Sequence, residues 1–246
     1  MRAGLVLRAV ALVLLLAFLI APEAFTPVFA PLTERGAPPI YLQADMLALA
    51  ANHLALVVAA TVAATLVAVG LAVVVTRPFG AEFLPLSRSI ANIGQTFPPI
   101  AVLALAVPAL GFGAAPTFVA LFLYGLLPIF ENALTGLTTL QPTVRDAARG
   151  MGMTGRQRLV QVELPLALPV ILAGIRLSTV IALATATIGS TVAASTLGEV
   201  IIAGLLTNNV AFILQGGLVV GALAVLIYDA FLWVERALAR RMGRFA

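Results

Sequence analysis

Six stretches of this chain are apolar over about the length that a helix needs to cross a lipid bilayer. A membrane-spanning helix takes about 20 mostly apolar residues, because about 30 Å of hydrocarbon offers its backbone no water to bind. The composition agrees, since 62% of the 246 residues are hydrophobic and 10% are charged, with a mean hydropathy of +1.12. The sequence therefore predicts an all-α fold, a polytopic membrane helix bundle of about six transmembrane helices. The expected spans are roughly Leu5–Ala21, Leu47–Val75, Leu86–Pro108, Ala115–Leu134, Leu168–Val192 and Phe212–Val234.

The first of these stretches has an alternative interpretation as a cleaved signal peptide. Arg2 and Arg8 accompany a short apolar run, and Ala21 and Ala24 flank Pro22 at its end. Retention is favoured, because six spans place both termini on the same side of the membrane and the arginines agree with that arrangement.

The arginines predict the orientation. All 14 basic residues are arginines, and in the six-span arrangement twelve of them fall on one face, whereas Arg35 alone lies on the other. The positive-inside rule makes the arginine-rich face cytoplasmic. We therefore expect a multi-pass protein of the cell (inner, cytoplasmic) membrane with both termini in the cytoplasm. The twelve are Arg2, Arg8, Arg77, Arg88, Arg145, Arg149, Arg156, Arg158, Arg236, Arg240, Arg241 and Arg244.

Several kinds of chemistry lack the residues they need. The chain contains no cysteine and a single histidine, His53, so we predict no metal site and no cofactor. His53 begins the second span, where a solvated interfacial histidine is the expected state. Lysine is absent, so the phosphate-binding lysine of a Walker A motif cannot be supplied, and we predict that the chain is not an enzyme.

One long stretch, Val144 to Pro165, is too polar to lie inside the bilayer. Pro142 suits the first turn of a short helix that runs to Arg149, and Gly150 and Gly152 are expected to end it. Thr154 and Gln157 have the spacing of a capping box, which predicts a second helix, expected to run until Pro165. The charges alone are equally compatible with a basic helix pair that rests on anionic lipid headgroups.

The spacing inside this stretch points to a more specific role. Asp146-Ala147-Ala148, three residues, Gly152, nine residues and then Val162-x-Leu164-Pro165 resembles the E-A-A, x3, G, x9, I-x-L-P loop of ABC-importer permeases. Asp146 in place of Glu and Val162 in place of Ile depart from that pattern, and they keep charge and shape.

The resemblance implies a coupling loop that docks on a cytoplasmic ATPase subunit and moves when ATP closes the ATPase dimer. Ala147 and Ala148 are small enough for close approach, Gly152 allows the turn, and Arg145 and Arg149 are expected to point the same way. Within 143–165, the residues of this coupling loop are Arg145, Asp146, Ala147, Ala148, Arg149, Gly152, Val162, Leu164 and Pro165.

A wider resemblance covers about Leu47 to Val234. The segments "GQTFPP", "RGMGMT" and "TLGEVIIAGL" look like permeases for glycine betaine, choline and related osmoprotectants. This implies a MetI-like type I ABC-importer permease fold. Its implied partners are a cytoplasmic ATPase dimer that hydrolyses ATP, a second permease copy or paralogue, and an extracytoplasmic substrate-binding protein. The expected domains are an N-terminal helix and extracytoplasmic loop at 1–46, the transmembrane domain at 47–234 with its coupling region at 138–169, and a basic tail at 235–246.

Polar residues in the third span suggest a translocation path. Asn92, Gln95, Thr96 and Pro99 are spaced to share one helical face, and hydrogen bonding between helices is an equally good interpretation. The comparable face on the fifth span has smaller residues, so close helix packing is favoured there. That face consists of Ser178, Ala182, Thr185 and Gly189.

Arg176 lies inside the fifth span, where a charge is costly. Two explanations are open: its side chain snorkels to the cytoplasmic headgroups, or it forms an ion pair with Glu131 or Asp229.

Three other functions compete with osmoprotectant import. A permease for methionine or another amino acid shares much of the motif core. An ion-coupled secondary transporter would have inverted repeats and an ionisable residue at mid-membrane, which are not evident. An intramembrane serine hydrolase using Ser190 and His53 lacks any supporting signature.

Overall fold

The computed structural model of this protein describes the backbone of residues 2–34 and 36–241 and the side chains of 6–34 and 36–240. The described chain is helical, with no strand in those ranges, which confirms the predicted all-α class. Arg35 and Arg244, which entered the orientation argument, lie outside the described residues. The main helices are α1 (Arg2–Ile20), α2 (Met46–Val75), α3 (Leu84–Thr96), α4 (Pro99–Leu110), α5 (Ala114–Thr138), α6 (Pro142–Gly150), α7 (Gly155–Val192), α8 (Gly198–Leu206) and α9 (Val210–Arg241).

Among the described residues, four helices are long and apolar enough to cross a membrane on their own: α2, α5, α7 and α9. Two bent helix pairs raise the number of candidate spans to six if each pair is one span. One pair is α1 with the short helical turns at Pro22–Leu32, bent by 115°, and the other is α3 with α4, bent by 97°. The predicted count of about six is therefore compatible with the described chain, but the third span is not the continuous helix we expected over Leu86–Pro108.

The break between α3 and α4 has a local cause. A residue that precedes proline is driven out of the α-helical region, and Phe97 and Pro98 both precede prolines. Their ψ angles of 141° and 143° are extended, so α3 ends at Thr96 and α4 begins anew at Pro99.

Helix α7 continues through Pro165, so the predicted end of the second loop helix is wrong. It begins as a single α-helical turn at Gly155–Arg158, becomes π-helical over Leu159–Glu163 and returns to α-helix over Leu164–Thr185. Proline lacks the amide that a helix interior needs, but Pro165 stands in the first turn after the π-helical segment, where the hydrogen-bond register has just changed. The helix therefore accommodates the proline and runs on to Val192.

The chain divides into two compact units that alternate along the sequence. The first unit comprises Met1–Ala59, Pro98–Leu121 and Ala182–Asp229, and the second comprises Ala60–Phe97, Phe122–Ile181 and Ala230–Ala246. The long helices run from one unit into the other, as α2 does between Ala59 and Ala60.

The first unit has a core built from α1, the start of α2, α8 and α9, together with Phe29, Ile40 and Tyr41. Residues 36–45, which we call the proline loop, are held on this core by two amide side chains, one in α9 and one directly before it. The fully buried Gln215 accepts a hydrogen bond from the Tyr41 amide at 3.1 Å and donates to the Pro39 carbonyl at 2.7 Å. Asn209 donates to the Pro38 carbonyl at 2.9 Å.

The Tyr41 side chain adds further contacts between the proline loop and the core of the first unit. Its hydroxyl donates to Glu199 Oε1 at 2.9 Å, and its ring meets Phe212 edge to face with centroids 5.4 Å apart. Burial of the hydroxyl, reinforced by the Glu199 carboxylate, raises the pKa of Tyr41 from 10.0 to about 12. The tyrosine is therefore a neutral donor at physiological pH.

The second unit has a core formed by α2, α5 and α7 with Ala91 of α3. Ala60, Ala64, Ala68 and Ala72 of α2 are fully buried at four-residue intervals. These small residues allow α2 and α5 to pack closely together. A Cβ added to Gly125 of α5 would lie 3.2 Å from the Ala64 Cβ of α2.

Candidate functional site

The coupling loop has the predicted helix-turn-helix form. Helix α6 ends at Gly150, and Gly152 adopts a φ of +73°, in the left-handed region where glycine is favoured. The Thr154 amide donates to Gln157 Oε1 at 2.8 Å, and the Gln157 amide donates to Thr154 Oγ1 at 3.3 Å. The capping box is thereby confirmed, and the turn between the helices is fixed from both sides.

Most of the predicted contact residues on α6 are exposed. Asp146, Ala147 and Arg149 face outward, whereas Ala148 is buried against the rest of the second unit. Met151 in the turn was not predicted, and its side chain is 72% exposed. An apolar residue between two glycines, Gly150 and Gly152, was the available signal for it.

The expectation that Arg145 and Arg149 point the same way is wrong. Arg145 turns inward and donates from its guanidinium to the Leu137 carbonyl of α5. Arg149 stays exposed, with Nη1 3.5 Å from Asp146 Oδ1. The reason is that the last carbonyls of α5 have no helical partner and accept the nearer guanidinium.

The second half of the motif lies on α7. Val162 and Leu164 are half-buried, with Leu164 packed on the core of the second unit, and Pro165 is exposed. Between them Glu163 is buried and forms an ion pair with Arg77, just beyond the end of α2. Our sequence analysis missed this pair; a lone acid inside an apolar helical run was its only signal.

The predicted path residues do not share one helical face, because the chain bends between Thr96 and Pro99. Asn92, Gln95 and Thr96 are exposed on α3, and Pro99 starts α4. Gln95 Nε2 donates to the Tyr124 carbonyl of α5 at 3.1 Å, which matches the alternative of hydrogen bonding between helices. Thr96 Oγ1 donates to the Ile93 carbonyl of its own helix at 2.7 Å.

The small residues of the fifth span serve helix packing, as predicted. A Cβ added to Gly125 would lie 2.7 Å from Ser178 Oγ, and one added to Gly189 would lie 2.5 Å from the Thr117 side chain. Ala182 is buried and Thr185 half-buried on the same helix.

Arg176 forms an ion pair, but neither predicted partner is correct. Its Nη1 lies 2.9 Å from Glu235 Oε2 of α9, with both side chains less than one-fifth exposed. Glu131 is bound by Arg88 at 2.5 Å, and Asp229 is bound by Arg8 at 2.6 Å. The sequence predicts only how far along its helix a residue lies. The choice of partner depends on the orientation of each helix about its axis.

His53 is not the solvated interfacial residue that we expected. Its side chain is fully buried, and Nε2 lies 3.1 Å from the Leu183 carbonyl. Ser190 Oγ lies 2.7 Å from Thr196 Oγ1 and also donates to the Ala194 carbonyl. Each residue has its own partner, and nothing here supports the hydrolase interpretation.

The described residues thus combine several apolar helices long enough to span a membrane with a polar, capped helix-turn-helix ahead of Pro165. The comparison with known families agrees: residues 64–244 match the family described as binding-protein-dependent transport system inner membrane component, and the chain belongs to that family. It is therefore an inner-membrane transport subunit and not an enzyme.

Two relatives extend this result over most of the chain. The osmoprotectant import permease protein OsmY of Salmonella typhimurium is 40% identical over 197 residues, which is 80% of this chain and 84% of that protein. The glycine betaine/carnitine/choline transport system permease protein OpuCB of Bacillus subtilis is 37% identical over 178 residues, covering 70% and 82%.

Solved structures of ABC importers share the fold. An inward-facing structure of the MetNI methionine ABC transporter matches with a TM-score of 0.70 at 22% identity, over 78% of this chain and 95% of that one. An amino acid ABC transporter crystallised with histidines matches with a TM-score of 0.62 at 17% identity, over 91% and 98%. The MetI-like permease fold is thereby confirmed.

Proposed function

We propose that this chain is the permease subunit of an ATP-driven importer for small osmoprotectants, such as glycine betaine, choline or related quaternary amines. The observation that carries the substrate class is the 40% identity, over 80% of the chain, to a permease named for osmoprotectant import. The structural likeness to a methionine transporter is at 22% identity and supports the fold alone. Methionine import is therefore kept as a competing outcome of the experiment below.

The geometry of the coupling loop supports energy coupling through a separate ATPase. Two helices joined by a capped turn form a stiff lever, and its exposed surface includes Asp146, Ala147, Arg149 and Met151. Such a surface suits the groove of a partner that closes on ATP binding, because a stiff loop transmits displacement where a flexible linker would absorb it. The partner is a cytoplasmic ATPase dimer, shared with a second copy or paralogue of this permease.

The same partner fixes the orientation. ATP is on the cytoplasmic side, so the coupling loop must face the cytoplasm, in agreement with the twelve arginines on that face of the six-span arrangement. Both termini then lie in the cytoplasm, and the proline loop lies outside, where an extracytoplasmic binding protein docks.

Substrate selection belongs mainly to that binding protein. Quaternary ammonium groups are held by aromatic cages through cation–π attraction. The chain has a single tryptophan, Trp233, whose side chain is 67% exposed near the end of α9. That position suits membrane anchoring, so the permease supplies a path of low affinity.

Uptake by the complete complex in proteoliposomes tests the substrate and the coupling together. Labelled glycine betaine is supplied with excess unlabelled choline or with excess methionine. We expect choline to compete and methionine to leave uptake unchanged; uptake of labelled methionine without uptake of glycine betaine would identify an amino-acid permease instead.

The Gly152→Val variant tests the coupling loop in the same assay. A β-branched residue is strained at a φ of +73°, so the turn should deform. We expect normal membrane insertion, but weaker copurification of the ATPase or hydrolysis that no longer drives uptake. The matched control is Gly217→Val in α9, where an added Cβ meets no atom within 4 Å. Equal uptake by both variants contradicts the role of the loop.

A further inference from the structure

The coupling loop is tied to α2 by a buried ion pair. Arg77 Nη2 donates to Glu163 Oε2, and the two side chains are 19% and 7% exposed. Glu163 is the last residue of the π-helical segment of α7, which leads directly from the coupling loop into the membrane span.

Arg77 is held to the end of α2 by further contacts. Its Nε donates to the Val73 carbonyl and its Nη2 to Thr76 Oγ1, both at 3.3 Å. Thr76 Oγ1 in turn donates to the Ala72 and Val73 carbonyls at 2.9 Å. A cation at a helix C-terminus is favoured by the helix dipole, so the guanidinium behaves as a fixed extension of α2.

Glu163 is buried, and Leu164 beside it in the chain packs on the apolar core of the second unit. Val75 belongs to the core of the second unit, and Leu159 and Leu164 pack against it on either side of Glu163 along the chain. A carboxylate withdrawn from its arginine in such surroundings would be left desolvated and without a partner. Separation of the pair is therefore unfavourable at every stage of a transport cycle that keeps this core packed.

The other end of the coupling loop is anchored as well. Arg145 of α6 donates to the Leu137 carbonyl near the end of α5. Arg145 thus binds the loop to α5 and Glu163 binds it to α2, in addition to its covalent links. A displacement of the loop has to carry both helix ends with it.

We propose that Arg77 and Glu163 form a permanently closed joint, a pair of positioning residues that transmits movement of the coupling loop to α2. The π-helical segment that ends at Glu163 leads from the coupling loop into the membrane span, and π-helical turns often occur at functional sites. The joint rests on the proposed function, since it needs an ATPase that moves the loop.

Charge variants of the reconstituted complex provide the first test. In Glu163→Gln and in Arg77→Gln, the ATPase should still copurify and hydrolyse ATP, because the exposed surface of α6 is unchanged. Uptake per ATP hydrolysed should fall about tenfold, within the range of measured coupling free energies. The double variant R77E/E163R restores the pair with its charges exchanged and should recover a measurable part of the uptake.

A reversible cross-link tests whether the joint stays closed. The chain contains no cysteine, so R77C/E163C introduces the only two thiols, and a short bis-methanethiosulfonate reagent links them through one reducible disulfide to each thiol, with sulfinate as the leaving group. We expect weak uptake before cross-linking, a gain after it and a loss again after reduction. A merely structural pair would not show this reversible gain in uptake at unchanged hydrolysis.

The possible results distinguish failure of the joint from failure of the proposed function. Uptake by R77C/E163C that is blocked by the cross-link means that the pair opens during transport, and the joint is wrong. Normal uptake per ATP in both Gln variants also overturns it. Arg88→Gln, which removes an exposed ion pair of the same unit, is the control and should retain most of the uptake. Failure of the ATPase to copurify with the unmodified chain would instead refute the proposed function.

Discussion

The proline loop of the first unit and the coupling loop of the second are both fastened to helix ends, but by different chemistry. Neutral amides hold the proline loop: Gln215 of α9 and Asn209, the residue before α9, donate to the carbonyls of consecutive prolines. Arginines hold the coupling loop: Arg77 donates to Glu163, and Arg145 donates to the Leu137 carbonyl.

The difference suggests what each loop does. Neutral hydrogen bonds in a dry core fix a conformation and respond little to salt, which suits a loop that keeps one shape. A buried charge pair is costly to separate, so it keeps two elements together while they move. The first loop is therefore stabilised in place, and under the proposed function the second stays connected to its helices while it moves.

The largest expected effect on the free energy of unfolding comes from removing one partner of the ion pair between Arg77 and Glu163. Glu163→Leu leaves Arg77 mostly buried without its carboxylate, and a stranded charge of this kind costs about 3–5 kcal/mol. Thermal unfolding of the detergent-solubilised protein measures the loss. The double variant R77M/E163L strands no charge and should recover most of the stability.

Arg88→Gln is the control for that measurement, because the Arg88 and Glu131 side chains are 51% and 37% exposed. Water replaces the lost partner there, so the effect should be much smaller. If Glu163→Leu and Arg88→Gln destabilise equally, burial does not distinguish the two pairs and the comparison fails.

A smaller effect is expected from the neutral attachment. Gln215→Leu removes the partner of the Tyr41 amide and of the Pro39 carbonyl, and an unpaired buried group costs about 1–3 kcal/mol. Limited proteolysis should then cleave within the proline loop faster than in the unmodified protein. Thr207→Ala loses one exposed hydroxyl contact to the Ala203 carbonyl and should leave the cleavage rate unchanged. Equal acceleration in both variants would contradict the stabilisation of the proline loop by Gln215.

The smallest effect concerns Tyr41 and pH. Because burial raises its pKa from 10.0 to about 12, the folded state favours the neutral hydroxyl. The resulting stability is complete below pH 10 and declines as the pH rises from 10 towards 12, since the unfolded chain loses the proton first.

Melting temperatures at about pH 8 and about pH 11 test this sign. The unmodified protein should lose more stability over that interval than Tyr41→Phe, which has no proton to release. At neutral pH the same substitution should cost about 1 kcal/mol or less, because Glu199 is half-buried and water can replace the hydroxyl. A parallel decline in both proteins would show that Tyr41 does not contribute.

The coupling loop was the part most fully predicted, because its determinants are local. The capping box of Thr154 and Gln157 and the turn at Gly152 depend on neighbours within a few residues, and both are present. The continuation of α7 through Pro165 was not predicted, since it requires a π-helical segment that residue preferences do not specify.

The apolar runs, the position of the coupling loop and the membrane class were therefore determined by the sequence itself, because apolar runs and caps act over one or two turns. The partners of the charged residues were decided only by the tertiary structure. Arg8 reaches Asp229 across 221 positions, and Arg176 reaches Glu235 across 59. Such pairings depend on how each helix is rotated and which helices are neighbours, and the packing of the apolar faces sets both.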